Sequence, residues 1–167
     1  MIQLLAVSCD SDASRLEIAR ELMREYAALP HAVSRWTMAA DDISGLPGPF
    51  APPGGLLLVA VDDTGPQGCG ALRAMAEQPG AAEIKRVYVR ERARGKGIGA
   101  LLMRALMEHA LQIGCNRVLL DTAPELAAAR ALYDRLGFRP IPPYSTSLSP
   151  DVICFEWTAP DKNGAAL

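Results

Sequence analysis

Three glycines at alternate positions and several basic side chains lie together in the segment Val89-Arg-Glu-Arg-Ala-Arg-Gly-Lys-Gly-Ile-Gly99. Alternate glycines let several backbone N–H groups point into one concavity, and a helix that begins there adds the partial positive charge of its N-terminus. Together these features bind phosphate oxygens. Arg92, Arg94 and Lys96 place full charges around the same point. The segment therefore predicts a binding site for a phosphate-bearing ligand.

The same glycines allow other interpretations. The plainest is a glycine-rich helix cap with solvated charges. A nucleotide P-loop does not fit, because the sequence lacks GxxxxGK(S/T). The dinucleotide fingerprint G-x-G-x-x-G/A does match Gly95-x-Gly97-x-x-Ala100, and Asp121 ends the next strand. However, five residues separate Val89 from Gly95, about 70 residues follow the motif, and three further strands precede the strand that ends at Val89. A dinucleotide-binding fold has no place for those three strands.

A second motif narrows the interpretation. It is Ala131-Leu-Tyr133-Asp-Arg-Leu-Gly137-Phe138, at the end of a later helix. The first motif contains Arg94-Gly-Lys-Gly97-Ile-Gly99, which fits the pattern Q/R-x-x-G-x-G/A. With both motifs at this separation, residues 83–138 resemble the GNAT superfamily of N-acetyltransferases. The resemblance implies an α/β fold: a GNAT-like three-layer sandwich with a mixed, mostly antiparallel, twisted sheet and helices on both faces.

The resemblance also implies that acetyl-CoA is the cosubstrate. In this family the strand before the glycines bears a bulge, splays from its neighbour and pairs through its backbone with the pantetheine arm. The matching residues are Val87, Tyr88 and Val89. The loop and helix start that follow bind the pyrophosphate, which places the phosphate contacts at Arg94, Gly95, Lys96, Gly97, Ile98, Gly99 and Ala100.

Tyr133 matches the tyrosine that in this family often protonates the departing coenzyme A thiolate. Alternatively, Tyr133 is only a core residue, since it lies beside Leu132 and Leu136 on its helix. The family frequently has asparagine seven residues before this tyrosine, whereas Leu126 stands here. One polar contact to the cosubstrate is therefore absent or replaced.

Glu83 is the candidate general base. A protonated amine must lose a proton before it attacks a thioester, and a carboxylate can accept that proton directly or through water. Glu83 has the offset from Arg94 at which some family members carry a glutamate base, and it shares strand parity with Val87 and Val89. The alternative is an edge-strand glutamate paired with Lys85 or Arg86.

The implied reaction is direct attack of an amine on acetyl-CoA through a tetrahedral intermediate, without a covalent enzyme intermediate on Cys69 or Cys154. The expected partner is a small-molecule amine. A protein acceptor, an acyl-CoA sensor without turnover and a homodimer remain open. The acceptor side is expected to form from His31, Trp36, the Pro- and Gly-rich loop 45–55 and the loop 142–150 with Tyr144.

The elements that must position these residues follow from apolar periodicity and turn residues. A strongly amphipathic helix is predicted over 97–113, with Ile98, Leu102 and Leu106 on one face. Further helices are predicted over 12–28, within 31–43 and over 124–136, where Pro124 opens the helix. Strands are predicted over 2–7, 56–61, 68–76, 82–89, 117–121, 138–141 and 152–157.

The composition sets outer limits on function. A length of 167 residues suits one domain over 1–167, with 159–167 as a frayed tail. A net charge of −2 gives no basic surface for nucleic acid. No apolar run is long enough to cross a membrane. The four cysteines are too scattered for a CxxC pair and only two histidines are present, so we expect reduced thiols, no metal site and a cytoplasmic protein.

Overall fold

The computed structural model describes residues 1–10, 13–35 and 40–160. The strands are β1 (Gln3–Val7), β2 (Gly55–Asp62), β3 (Gly65–Ala74), β4 (Ala81–Val89), β5 (Arg117–Thr122), β6 (Arg139–Ile141) and β7 (Ile153–Thr158). The helices are α1 (Ala13–Ala27), α2 (Pro30–Arg35), α3 (Ala40–Ser44), α4 (Ile98–Gln112) and α5 (Ala127–Arg135). Short 3₁₀ turns occur at Gly48–Phe50 and Glu91–Ala93.

The strands form one seven-stranded sheet in the order β1-β2-β3-β4-β5-β7-β6. All neighbours pair antiparallel except β4 and β5, which are parallel. The dinucleotide-binding alternative requires a parallel, doubly wound sheet. It is therefore wrong for this chain, and the mixed, mostly antiparallel sheet is confirmed.

The two parallel strands separate soon after they meet. β4 pairs with β5 only from Ala81–Arg117 to Glu83–Leu119, although both strands continue beyond those pairs. A bulge lies just past this point, where the register between β3 and β4 shifts and Arg86 has a φ of 62°. The extra residue increases the local twist of β4 and turns it away from β5. A cleft opens between the two strands as a result.

Each face of the sheet is covered by helices because successive side chains of a strand point to opposite faces. The α4-side core joins buried side chains of α4 and α5 to alternate strand positions, among them Ile98, Leu102, Leu106, Ile84, Leu120, Tyr133 and Phe138. The α1-side core lies on the other face and includes Leu22, Met23, Phe50, Leu57, Val59 and Cys69. The three-layer sandwich predicted from the motifs is confirmed.

Most element boundaries agree with the sequence to within about two residues, but three expectations need correction. α5 begins at Ala127 and not at Pro124, because residues 124–125 form a turn. The helix expected within 31–43 begins one residue earlier, at Pro30, a position where the missing N–H costs nothing. The predicted frayed tail does not begin at 159, since the Ala159 amide donates to the Asn116 carbonyl at 2.8 Å. Residues 161–167 lie outside the described residues.

Within the described ranges, no helix combines the length and the apolar character that a membrane span requires.

Candidate active site

A cavity of about 720 Å³ occupies the cleft between the separated ends of β4 and β5. Ligand sites typically measure about 300–1,000 Å³. One part is lined by the start of α4 and by α5, on the α4 side of the sheet. The other part is lined by residues of α1, the link between α1 and α2, α2, the bulge and the loop before β7: Tyr26, Leu29, His31, Arg86 and Ser147. We call these two parts the α4 side and the α1 side of the cleft.

The predicted phosphate loop lies on the α4 side. Gly95 and Gly97 have φ values of 76° and 78°, a backbone region in which other L-residues are strained. Gly97 is the N-cap of α4, and no side chain caps the helix there. The first amides of a helix have no helical partner, so the N–H groups of Ile98, Gly99 and Ala100 remain available to a ligand. The predicted phosphate-loop residues that line the cavity are Arg94, Gly95, Gly97, Ile98, Gly99 and Ala100; Lys96 does not line it.

The basic residues of this loop have different surroundings. Arg94 lines the cavity, and its Nε donates to the Val89 carbonyl at 3.3 Å. Lys96 is exposed and is not part of the lining. Arg92 points toward the β2–β3 turn, where its Nη2 lies 3.4 Å from the Pro66 carbonyl. The expectation that Arg92 surrounds the phosphate site is wrong. Arg135 of α5 lines the cavity and was missed.

Val87, Tyr88 and Val89 line the cavity between the loop and the bulge. Beyond Glu83, the edge of β4 that faces β5 pairs with no strand among the described residues. Backbone N–H and C=O groups on such an edge can receive an extended, amide-containing ligand. The Tyr88 side chain points away, and its hydroxyl donates to Oε2 of Glu25 at 3.1 Å.

Tyr133 both lines the cavity and packs in the α4-side core. Its ring lies 5.9 Å from that of Phe138 and 5.7 Å from that of Phe155, measured between centroids. Burial raises the pKa of Tyr133 to about 12; the negative charge of Asp121 adds to this, while a hydrogen bond with Thr122 opposes it. The phenol is therefore fully protonated near neutral pH. The two interpretations of Tyr133 are compatible.

Leu126 lines the same part of the cavity and is the N-cap of α5. No side chain caps this helix start. Where the family frequently has asparagine, this chain therefore has an apolar residue on the cavity wall. The helix that begins there has no side-chain cap.

Glu83 lies in a buried network instead of on the cavity wall. Its side chain is 3% exposed and accepts from Arg73 Nη2 at 2.8 Å, Lys85 Nζ at 2.9 Å and the Tyr144 hydroxyl at 2.9 Å. Burial acts to raise the pKa of Glu83, but the charge of Lys85 and the hydrogen bonds from Lys85, Arg73 and Tyr144 outweigh it, so the pKa is lowered. The pairing with Lys85 agrees with the alternative interpretation, although β4 is a central strand.

The expectation that Glu83 faces the same side of the sheet as Val87 and Val89 is wrong. Ile84 faces the α4-side core before the bulge, whereas Val87 and Val89 face it after the bulge. The extra residue at Arg86 shifts the alternation by one position. Glu83 and Lys85 consequently point to the α1 side.

Asp121 is the main site residue that sequence reasoning missed. Its side chain is 3% exposed and lines the cavity, and its Oδ1 accepts from Lys85 Nζ at 3.0 Å and lies 3.4 Å from the Tyr144 hydroxyl. The only sequence signal was a carboxylate at the end of β5, next to the expected splay. Tyr144 was predicted on the acceptor side, and its hydroxyl does join the two carboxylates.

Two other acceptor-side expectations have different outcomes. No described residue of 45–55 lines the cavity, because Leu46 and Phe50 pack into the α1-side core. That prediction is wrong. His31 lines the cavity, whereas Trp36 lies outside the described residues.

A family model for the acetyltransferase (GNAT) family matches residues 16–138, well over half of the chain. The chain belongs to the acetyltransferase (GNAT) family. The resemblance inferred from the two motifs is thereby confirmed.

Relatives of this GNAT protein include an uncharacterised N-acetyltransferase of Schizosaccharomyces pombe, 36% identical over 105 residues that cover 62% of this chain and 64% of the relative. N-acetylaspartate synthetase of Rattus norvegicus is 41% identical over 88 residues, which cover 53% of this chain and 29% of the relative. The chain thus spans less than two thirds of the length of these curated relatives. An acetyltransferase of the GNAT family from Staphylococcus aureus Mu50 has the same fold, with a TM-score of 0.76, 16% identity and coverage of 95% and 99% of the two chains.

Proposed function

We propose that this GNAT protein transfers the acetyl group of acetyl-CoA to the nitrogen of a small amine. The observation that carries the proposal is the cleft between β4 and β5. It joins an open strand edge to a glycine loop at the N-terminus of α4. These two features suit the two chemically different parts of coenzyme A, its amide-rich arm and its pyrophosphate.

The residues of the cleft fit this cosubstrate. The free amides at the start of α4 would bind pyrophosphate oxygens, with Arg94 and Arg135 as nearby cations. The open edge of β4 would hydrogen-bond the pantetheine amides. When bound, acetyl-CoA supplies a thioester whose carbonyl carbon can accept a nucleophile. Holding it beside the amine converts an encounter between two molecules into a reaction within one complex.

The amine must reach the thioester in its neutral form. Glu83, the base predicted from the sequence, is covered by Arg73, Lys85 and Tyr144, so it would accept a proton only through the Tyr144 hydroxyl or after that hydroxyl moves. Asp121 shares Lys85 with Glu83 and lies directly on the cleft. We propose that this carboxylate network takes the proton that the ammonium loses.

Tyr133 is the proposed proton donor to the leaving group. The amine nitrogen forms a bond to the carbonyl carbon, the C–S bond breaks, and the sulfur takes the Tyr133 proton. The nitrogen releases its surplus proton to solvent through the network, and Tyr133 regains one. The sum is an ammonium and a thioester giving an amide, a thiol and one free proton.

Support for a small acceptor comes from the α1 side of the cleft, where side chains of α1, α2 and the loop before β7 form the wall. The cytoplasmic location inferred from the cysteines stays a prediction, and a homodimer stays open.

The test combines ligand binding with turnover. Acetyl-CoA at about one hundred times its Kd should stabilise the fold by about 2.7 kcal/mol, visible as a rise in Tm, whereas NAD should give no shift. Thiol release from acetyl-CoA should then depend on an added amine. Stabilisation without amine-dependent thiol release across a broad amine panel would indicate an acyl-CoA sensor. A shift with NAD alone would contradict the proposal.

A further inference from the structure

Asp121 has an unused carboxylate oxygen on the cleft. Its Oδ1 contacts Lys85 and Tyr144, but its Oδ2 is buried and has no hydrogen-bond partner in the described part of the chain. The Asp121 side chain is 3% exposed and lines the cavity. Leaving such an acceptor unsatisfied costs free energy that a ligand donor would recover. The vacant Oδ2 is therefore suited to a ligand N–H group.

Arg86 is the complementary feature on the opposite strand. It is half-buried and lines the cavity, yet its guanidinium makes no ion pair or hydrogen bond with any residue in 1–10, 13–35 or 40–160. Its φ of 62° is a strained conformation for a residue other than glycine. Backbone strain of this kind clusters at ligand sites. Arg86 is an unpaired cation held at the bulge where β4 turns away from β5.

The two charges act on a common neighbour. Burial raises the pKa of Tyr26, with the Arg86 charge opposing that rise and the Asp121 charge adding to it. Tyr26, Arg86 and Asp121 all line the cavity, and the strand alternation that puts Leu120 in the α4-side core turns Asp121 to the α1 side. The other charged groups nearby, Glu83 and Lys85, are already paired. Among the described residues, Asp121 Oδ2 and the Arg86 guanidinium thus offer the acceptor one anionic and one cationic position without a protein partner.

We propose that the acceptor is an amine that also carries an anionic group, as an amino acid does. Its ammonium donates to Asp121 Oδ2, and its anionic group pairs with the Arg86 guanidinium. This inference rests on the proposed acetyl transfer. Asp121 Oδ2 then takes one ammonium proton, which leaves the nitrogen neutral for attack, while Lys85 and Tyr144 hold Oδ1 in place.

The test compares amines that differ only in the anionic group. Glycine, L-alanine and β-alanine are each assayed against the corresponding carboxamide with saturating acetyl-CoA, and the ratio of kcat/KM for acid over amide is measured. In Arg86→Gln this ratio should fall about 10- to 100-fold, since a hydrogen-bonded charge pair is lost. Comparing ratios between variants cancels the different intrinsic reactivities of the amines.

Matched variants separate this role from folding and from cosubstrate binding. Arg86→Gly relieves the backbone strain, so it should keep or raise Tm and still lose the discrimination. Arg104→Gln, on an exposed position of α4, should leave the ratio unchanged. Arg94→Gln should raise the KM for acetyl-CoA without changing the ratio. Asp121→Asn should lower kcat/KM for acids and amides alike, because it faces the nitrogen common to both.

The outcomes are distinct. Efficient acetylation of the amides with an unchanged ratio in Arg86→Gln and Arg86→Gly would overturn this inference and leave the acetyl transfer standing. Absence of turnover with every amine of both classes would overturn the proposed function and this inference with it.

Discussion

Gly97 combines a positive φ with open space on its side-chain side. A Cβ built on Gly97 would meet no atom within 4 Å, so the position needs glycine for its backbone conformation and not to avoid a clash. We expect Gly97→Asp to fold and to lose acetyl-CoA binding, because a carboxylate would stand at the phosphate site. Isothermal titration with coenzyme A measures the loss.

Gly97→Ala is the control for backbone strain. It should cost about 1 kcal/mol of stability and should weaken coenzyme A binding far less than the aspartate does. Equal coenzyme A affinity in Gly97→Asp and the unaltered protein would place the phosphates elsewhere.

Tyr133→Phe keeps the ring that packs against Phe138 and Phe155 and removes only the hydroxyl proton. We expect kcat to fall by about 10²-fold or less, the lower end of general acid contributions. The Kd for acetyl-CoA and the Tm should change little. If kcat stays the same, Tyr133 is a packing residue alone.

The buried network makes Glu83 a pH-dependent contributor to stability. Its pKa is lowered in the folded state, so its contribution is present above the unfolded-state pKa and is lost as pH falls through the folded-state pKa. We expect Glu83→Gln to lower the free energy of unfolding by about 1–3 kcal/mol near neutral pH and by progressively less in acid. Urea unfolding at a series of pH values tests this, and a constant difference would contradict it.

At this scale the sequence indicates local motifs well and cross-strand partners poorly. The glycine loop and Tyr133 were predicted from two motifs, each made of residues that are close together in the sequence. Lys85 and Asp121 are 36 residues apart and meet only through the pairing of β4 with β5. The orientation of Glu83 depended on a bulge whose position no residue type marks.

At the scale of elements, α5 has a weak beginning. Leu126 is its N-cap and provides no side-chain hydrogen bond, whereas Asn is among the preferred N-cap residues. We expect Leu126→Asn to raise the free energy of unfolding by about 1 kcal/mol. Because residue 126 lines the cavity, the same change should tighten acetyl-CoA binding.

Leu126→Ala separates the two effects. It removes the apolar contact without adding a cap, so it should lower stability and leave acetyl-CoA affinity unimproved. A Leu126→Asn protein no more stable than Leu126→Ala would show that this helix start cannot use a side-chain cap.

Periodicity located the long elements better than the short ones. The apolar face of α4 repeats over 15 residues and gave its bounds to within one residue at each end. The segment 45–55 has no such repeat, and its prolines and glycines correctly indicated a loop. They could not indicate that Leu46 and Phe50 anchor this loop on the α1-side core. Such anchoring depends on tertiary packing.

For the whole molecule, apolar patterns predict strands but do not say which strands lie side by side. The chain places β7 between β5 and β6, so the last strand lies inside the sheet and not at its edge. The order of helices and strands along the chain indicates an α/β sandwich with one mixed sheet, whereas the splay was expected from the family resemblance. The acceptor side was least predictable because α1, α2, β4, β5 and the loop before β7 all contribute to it.

The short pairing of β4 with β5 makes the sheet two half-sheets with a seam. One half is β1–β4, the other is β5, β7 and β6, and the backbone strand pairs that join them within the described ranges run from Ala81–Arg117 to Glu83–Leu119. α4 packs on strands of both half-sheets and so helps to hold them together. A ligand in the cleft would contact both half-sheets at the ends where β4 and β5 have separated, and it would hold those ends together. Amide hydrogen exchange should therefore slow on both sides of the seam together when acetyl-CoA binds, including at amides that never touch it.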